Sequence, residues 1–101
     1  MSLKAAFIFL DSEANSATDR SVVSTPGTEL TLVGTANYAD AETVAKGLVA
    51  DGIVAIELCG GFGTAGVARI SKAVEGKVAV GAVRFDIHPG LGNKSGDSVF
   101  G

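Results

Sequence analysis

Apolar positions follow two rhythms along this chain. From Leu3 to Leu10 nearly every residue is apolar, with Phe7, Ile8 and Phe9 in succession, which is the pattern of a strand buried on both faces. Glu29–Gly34 sets Leu30 and Leu32 against Thr31 and Val33, the period of a second strand. Ile53–Cys59 and Val78–Phe85 read as the third and fourth strands. Between them the spacing lengthens. Ala41, Val44, Ala45, Leu48 and Val49 fall on one helical stripe, with Asp40 placed to cap it and Gly52 to end it. Glu42 and Lys46 form an i,i+4 pair on the open side of that helix. Val67, Ile70 and Val74 mark a second helix over Gly63–Glu75, stopped by Gly76.

Two stretches follow neither rhythm. Asp11–Gly27 is polar and long for a structureless connection, so a short helical piece is expected near Thr18–Ser24. Pro26-Gly27 suits a type II turn, and Pro89-Gly90 suits another. The last sixteen residues, Asp86–Gly101, are loop-like. The chain therefore reads as β-loop-β-α-β-α-β, a single α/β domain over residues 1–101. Helix-linked strands imply a mostly parallel four-stranded sheet with right-handed crossovers and helices packed on it. Strand order 2-1-3-4 puts the most apolar strand inside. Order 1-2-3-4, half-barrel-like, is the alternative.

Composition narrows the function classes. Hydrophobic residues are 47% of the chain and mean hydropathy is +0.38, a surplus that suits a homo-oligomer. The longest apolar run is far too short to span a membrane. Net charge is −3 and there is no Lys/Arg cluster, so neither nucleic acid nor an anionic membrane is an expected partner. Cys59 is the single cysteine, so no intrachain disulfide forms and a reducing cytoplasm is expected.

The candidate chemistry gathers where strands end. In parallel sheets ligands sit beyond the carboxyl ends of the strands. Here those ends carry Asp11, Glu57, Cys59, Arg84 and Asp86. Gly61, Gly63 and Gly66 make a formal G-x-G-x-x-G, and Asp86 follows 20 residues after Gly66. A dinucleotide fold is nevertheless disfavoured. Cys59 and Gly60 interrupt the fingerprint, and too little chain follows Asp86 for a second nucleotide-binding half. No cofactor is assigned. Gly60, Gly61 and Gly63 at the start of the second helix are candidate anion ligands through their N–H groups, with Arg84 and Asp11 beside them. A tight turn needing glycine for its geometry is the plainer reading of the same residues.

Cys59, His88, Asp86 and Glu57 are candidate catalytic residues: a thiol, an imidazole base, a carboxylate to orient it and a second carboxylate. A structural Glu57–Arg84 ion pair and an inert core cysteine are the competing readings. One His and one Cys without ligand spacing do not support a metal site. His88-Pro89-Gly90-Leu91-Gly92-Asn93-Lys94-Ser95 lacks the Gly before Lys94 that a phosphate loop requires.

Ile56-Glu57-Leu58-Cys59-Gly60-Gly61-Phe62-Gly63, Val80–Asp86 and His88–Gly92 resemble a family of uncharacterised bacterial proteins of about this length, as does Lys4–Leu10. The resemblance implies a stand-alone domain of unknown function and carries over no activity. Three expectations follow from the whole sequence. The domain binds a small anionic metabolite at the carboxyl edge of its sheet, or acts on such a metabolite as an enzyme, or serves as a structural or interaction module without a ligand.

Overall fold

The computed structural model describes residues 2–101. Five strands form one mixed sheet in the order β2-β3-β1-β4-β5, with β1 at Leu3–Leu10, β2 at Arg20–Thr25, β3 at Thr28–Thr35, β4 at Ala55–Leu58 and β5 at Ala79–Ala82. Helix α1 spans Tyr38–Ala50, α2 spans Thr64–Ala73 and the short α3 spans Asp97–Phe100. All strand pairs are parallel except β2 with β3. The fold is thus α/β with a mostly parallel sheet. It departs from the expected four-stranded sheet and order by one extra strand at the edge.

That extra strand replaces the helical piece expected near Thr18–Ser24. Val22, Val23 and Thr25 are β-branched and favour the pleated surface. The strand lies at the sheet edge with every residue exposed, so its sequence carries no burial rhythm. Pro26-Gly27 closes the hairpin, but Gly27 has no positive φ, so the turn is not type II. Gly90 also lacks a positive φ, and Pro89–Leu91 instead forms a single 3-10 turn.

The hairpin has a topological consequence. A parallel β1–β3 pair normally needs a crossover helix. Here the chain leaves β1, passes the end of β3, and returns as β2 and β3, so no helix is spent on this step. The two crossovers that do carry helices, β3-α1-β4 and β4-α2-β5, advance in the same direction across the sheet. Both helices therefore lie on the same face. Ala6, Ile8, Val33, Ile56 and Leu58 point to that face and pack with Val44, Ala45, Leu48, Ile70 and Val74 in the buried core. Among the described residues no helix lies on the opposite face.

The N-cap of helix α1 lies three residues before the expected one, Asp40. Asn37 is the N-cap, and its Oδ1 accepts the Asp40 N–H at 2.8 Å. Asp40, three residues into the motif, reaches back to accept the Ala36 N–H at 2.9 Å and the Ser16 hydroxyl at 2.9 Å. The two side chains together fix the helix start, and the Ser16 contact ties it to the loop after β1. Gly52 ends the helix at φ +93°, as its position in the sequence implies. Glu42 does not pair with Lys46. It accepts from Arg69 of α2 instead, linking the two helices. Thr35 is fully buried, and its hydroxyl donates to the Phe9 carbonyl at 2.9 Å.

Asn37→Ala removes the cap from one orphan amide of α1. It is expected to destabilise the fold by about 1 kcal/mol, a fall in Tm of about 4–8 °C for a domain of this size. Thermal unfolding followed by far-UV circular dichroism measures it.

Candidate functional site

The glycine loop lies where expected, between β4 and α2, but its amides are not open. Gly63 is the N-cap of α2 and has no side chain with which to cap it. Asp97, far away in sequence, supplies the missing acceptor. Its Oδ2 accepts the Ala65 N–H at 3.0 Å, and its Oδ1 accepts the Gly66 N–H at 3.1 Å. Oδ1 also accepts the Tyr38 hydroxyl at 2.8 Å, while the Tyr38 oxygen accepts the Gly63 N–H at 2.9 Å. The Gly61 N–H donates to Cys59 Sγ at 3.3 Å. The helix N-terminus therefore holds an anion, and the anion belongs to the chain itself.

The glycines make this possible by lacking a Cβ. At Gly63 a Cβ would collide with the Asp97 carboxylate and with Ser95. At Gly66 it would run into the Tyr38 ring, and at Gly60 into the Phe85 ring. Gly96 lies so close to the Gly61 carbonyl that no side chain fits. The loop is thus a socket for the segment after β5. Tyr38 stacks on Phe62 at 5.6 Å between ring centroids and tilts against Phe100 at 6.5 Å, while the Arg69 guanidinium sits 5.6 Å from its ring centre.

Two titrations are shifted by this arrangement. Desolvation by itself would raise the Asp97 carboxyl. The Ala65 N–H, the Tyr38 hydroxyl, the Gly66 N–H and the Arg84 charge outweigh it and hold the group below its ordinary value of 3.8. Burial, helped by the neighbouring Asp97 charge and opposed by the Gly63 N–H, pushes the Tyr38 phenol up to about 12.

The expected catalytic group is not assembled by hydrogen bonds. Glu57 is exposed on the face of β4 opposite the helices and does not pair with Arg84. Arg84 pairs with Asp86 at 2.8 Å instead, both side chains well exposed at 61% and 88%. The reason is that β5 ends at Ala82, so strand alternation does not continue through Arg84, Asp86 and His88. His88 packs against Phe85 at 4.7 Å, and its Nδ1 accepts the Gly90 N–H at 2.9 Å. Cys59 is half-buried beside the core, its sulfur taken by Gly61. Among the described residues no group of three or more His, Cys, Asp or Glu side chains is placed to hold a metal ion, and no helix is long and apolar enough to cross a membrane.

An open cleft lies elsewhere on the carboxyl edge. It has a volume of about 580 Å³ and is lined by Phe9, Leu32 and Ala14 as an apolar floor, with Asp11, Glu13, Asp19 and Arg20 among its polar residues. Phe9 reaches across β3 because Gly34 leaves room for its ring, and Ala14 packs on the same spot. Asp11 shapes the loop by accepting the Glu13 N–H at 2.9 Å, and Asp19 does so by accepting the Asn15 N–H at 2.7 Å. Arg20 is held by its Nε, which donates to the Ser16 carbonyl at 2.9 Å. Of the candidate catalytic and ligand-binding residues named from the sequence, Asp11 is the one that lines this cleft.

A model for a family of unknown function, DUF6506, matches residues 3–98. The chain belongs to this family. No curated protein and no solved structure matches the chain significantly. The DUF6506 match covers the cleft, the glycine socket and Asp97 alike.

Asp97→Ala vacates the N–H groups of Ala65 and Gly66. It is expected to destabilise the fold by about 1–2 kcal/mol, as loss of a helix cap does. Added acetate is expected to recover part of the lost Tm in Asp97→Ala beyond its effect on the parent protein. An equal effect on both would show that the amides do not recognise a free carboxylate.

The pH dependence has two limbs. Asp97 titrates lower when folded, so its contribution is present above the unfolded value and is lost as pH falls through the folded one. Tyr38 titrates higher when folded, so stability falls as pH rises from its ordinary value of 10.0 towards about 12. Denaturation against pH is expected to flatten on the acid limb in Asp97→Asn and on the alkaline limb in Tyr38→Phe.

Proposed function

We propose that this DUF6506 protein is a small-molecule-binding module. Its site in this reading is the cleft at the carboxyl ends of β1 and β3, and its ligand is a compact, largely apolar molecule bearing an amine. The cleft itself carries the proposal. About 580 Å³ lies within the range of small-ligand sites, an apolar floor with a few polar groups at its rim being their usual make-up. Its rim sets three carboxylates, Asp11, Glu13 and Asp19, against one guanidinium, Arg20. The surplus negative charge favours a cationic group there, and the Phe9 ring and Leu32 offer an apolar surface to the remainder.

This keeps the carboxyl edge of the sheet as the binding edge but changes the ligand's charge. An anionic metabolite fitted the glycine loop as an open receptor. Asp97 already occupies its amides, so an external anion must first displace a tethered carboxylate. An enzyme built on Cys59, His88, Asp86 and Glu57 has less support, since no hydrogen bond joins any two of them among the described residues.

Titration with phenethylamine and with phenylacetate, followed by amide chemical shifts, tests the proposal. Phenethylamine is expected to move the amides of Ala14, Ser21 and Leu32 saturably, with phenylacetate far weaker. Shifts confined to other surfaces, or a preference for the carboxylate, would overturn it.

A further inference from the structure

The face of the sheet that carries no helix is apolar over most of its extent. Strand pleat and register put Leu3, Phe7 and Phe9 of β1 on it, beside Leu30 and Leu32 of β3 and Val23 of β2. Leu3, Phe9 and Val23 remain 47%, 37% and 49% exposed, and Phe7, Leu30 and Leu32 are half-buried with no helix or further strand among the described residues packed over them. Among the strand positions of this face only Glu57 of β4 is charged. A contiguous apolar surface of this kind is characteristic of an interface rather than of a solvated sheet.

We infer that the partner on this face is a second copy of the chain, sheet against sheet, and that the pairing roofs the amine cleft. Three considerations select that occupant. The first is area. Strands about 4.8 Å apart, eight residues long in β1 and β3, six in β2 and four in β4 and β5, present on the order of 500 Å² before side-chain relief. That is the scale of the roughly 800 Å² each partner contributes to a standard interface. A single helix, about 10 Å across, covers only a stripe of it.

The second is charge. A face with one carboxylate offers nothing to a strongly basic or acidic partner, whereas an apolar face is complementary to itself under a two-fold axis. The third is shape. The long strands β1 and β3 at its centre suit aligned sheet packing, in which inner faces interdigitate about 10 Å apart. Phe9 and Leu32 belong both to this face and to the cleft floor, so a copy seated on the face lies over the mouth of the cleft. The roofing rests on the ligand reading proposed above; the pairing of faces does not.

Sedimentation equilibrium at micromolar concentration is the test. The protein is expected to sediment at twice its chain mass of 10.1 kDa. Val23→Glu and Leu3→Glu, at exposed positions of the face, are each expected to weaken dimerisation by about tenfold or more, with far-UV circular dichroism unchanged. Val99→Glu, an equally exposed apolar position on α3, is expected to leave the dimer intact. A monomeric parent protein overturns the inference, as does a dimer lost in Val99→Glu but kept in both face variants. Phenethylamine binding that weakens in Val23→Glu in step with dimer loss supports the roof. Dimerisation without any phenethylamine binding keeps the pairing and removes the ligand reading with its roof.

Discussion

The Asp97 carboxylate on the N-terminus of α2 is the contact through which the remote parts of this fold communicate. A helix start leaves N–H groups without partners, and an N-cap side chain ordinarily satisfies them. Here the N-cap is Gly63, which has nothing to offer. The acceptor arrives from the last turn of the chain, and Tyr38 at the start of α1 donates to the same oxygen. One carboxylate thereby joins α1, α2, the glycine loop and the chain after β5. The choice of glycine at 63 and the choice of Asp at 97 depend on each other. A side chain at 63 would leave no room for the carboxylate, and a carboxylate elsewhere would leave the helix uncapped.

This reciprocity explains why the glycine loop resembles an anion receptor in sequence. Nucleotide-binding loops and this socket meet the same physical demand: an anion must approach backbone amides closely, and a Cβ prevents it. The sequence pattern records the close approach but does not record whose anion approaches. The clue lay in what was absent. No Ser, Thr, Asp or Asn occupies the cap position of a helix whose pattern is otherwise clear, which directs attention to a carboxylate elsewhere in the chain. Asp97 sits in a segment without periodicity, so nothing local marked it.

Elements whose side chains divide into buried and exposed are readable from the sequence: β1, β3, β4 and both long helices, with Gly52 ending α1 at positive φ; α2 closes at Ala73, two residues short of its expected end, and Gly76 takes its positive φ in the turn beyond. Elements exposed on all sides were not. β2 has no buried residue, and its β-branched content beside Pro26-Gly27 was the available signal. The apolar Val83 and Phe85 extend the strand pattern past the end of β5, yet both are substantially exposed and the chain leaves the sheet after Ala82. That single boundary accounts for the absence of a Glu57–Arg84 ion pair among the described residues. Alternation places side chains only while the strand lasts. Among the candidate residues, Asp11 was found at a cleft because its position rests on the long, unambiguous β1.

The hairpin that replaced a crossover helix also set where binding is physically feasible. Had a helix joined β1 to β3, it would have covered Phe7, Leu30 and Leu32, and the loop after β1 would have run into that helix. Instead the loop folds back over the end of β3, anchored by the Gly34 N–H donating to the Asp19 carbonyl at 2.8 Å and by the Ser16 hydroxyl on Asp40. Gly34 then matters twice. It takes the Asp19 tie through its backbone, and its missing Cβ lets the Phe9 ring lie across β3 under Ala14. The same ring is floor to the cleft and part of the uncovered sheet face. A larger residue at 34 would lift Phe9 and disturb both surfaces together, whereas a charge at Val23 touches the face directly and the cleft lining not at all. The two surfaces are therefore coupled through one aromatic side chain and separable at the strand beside it.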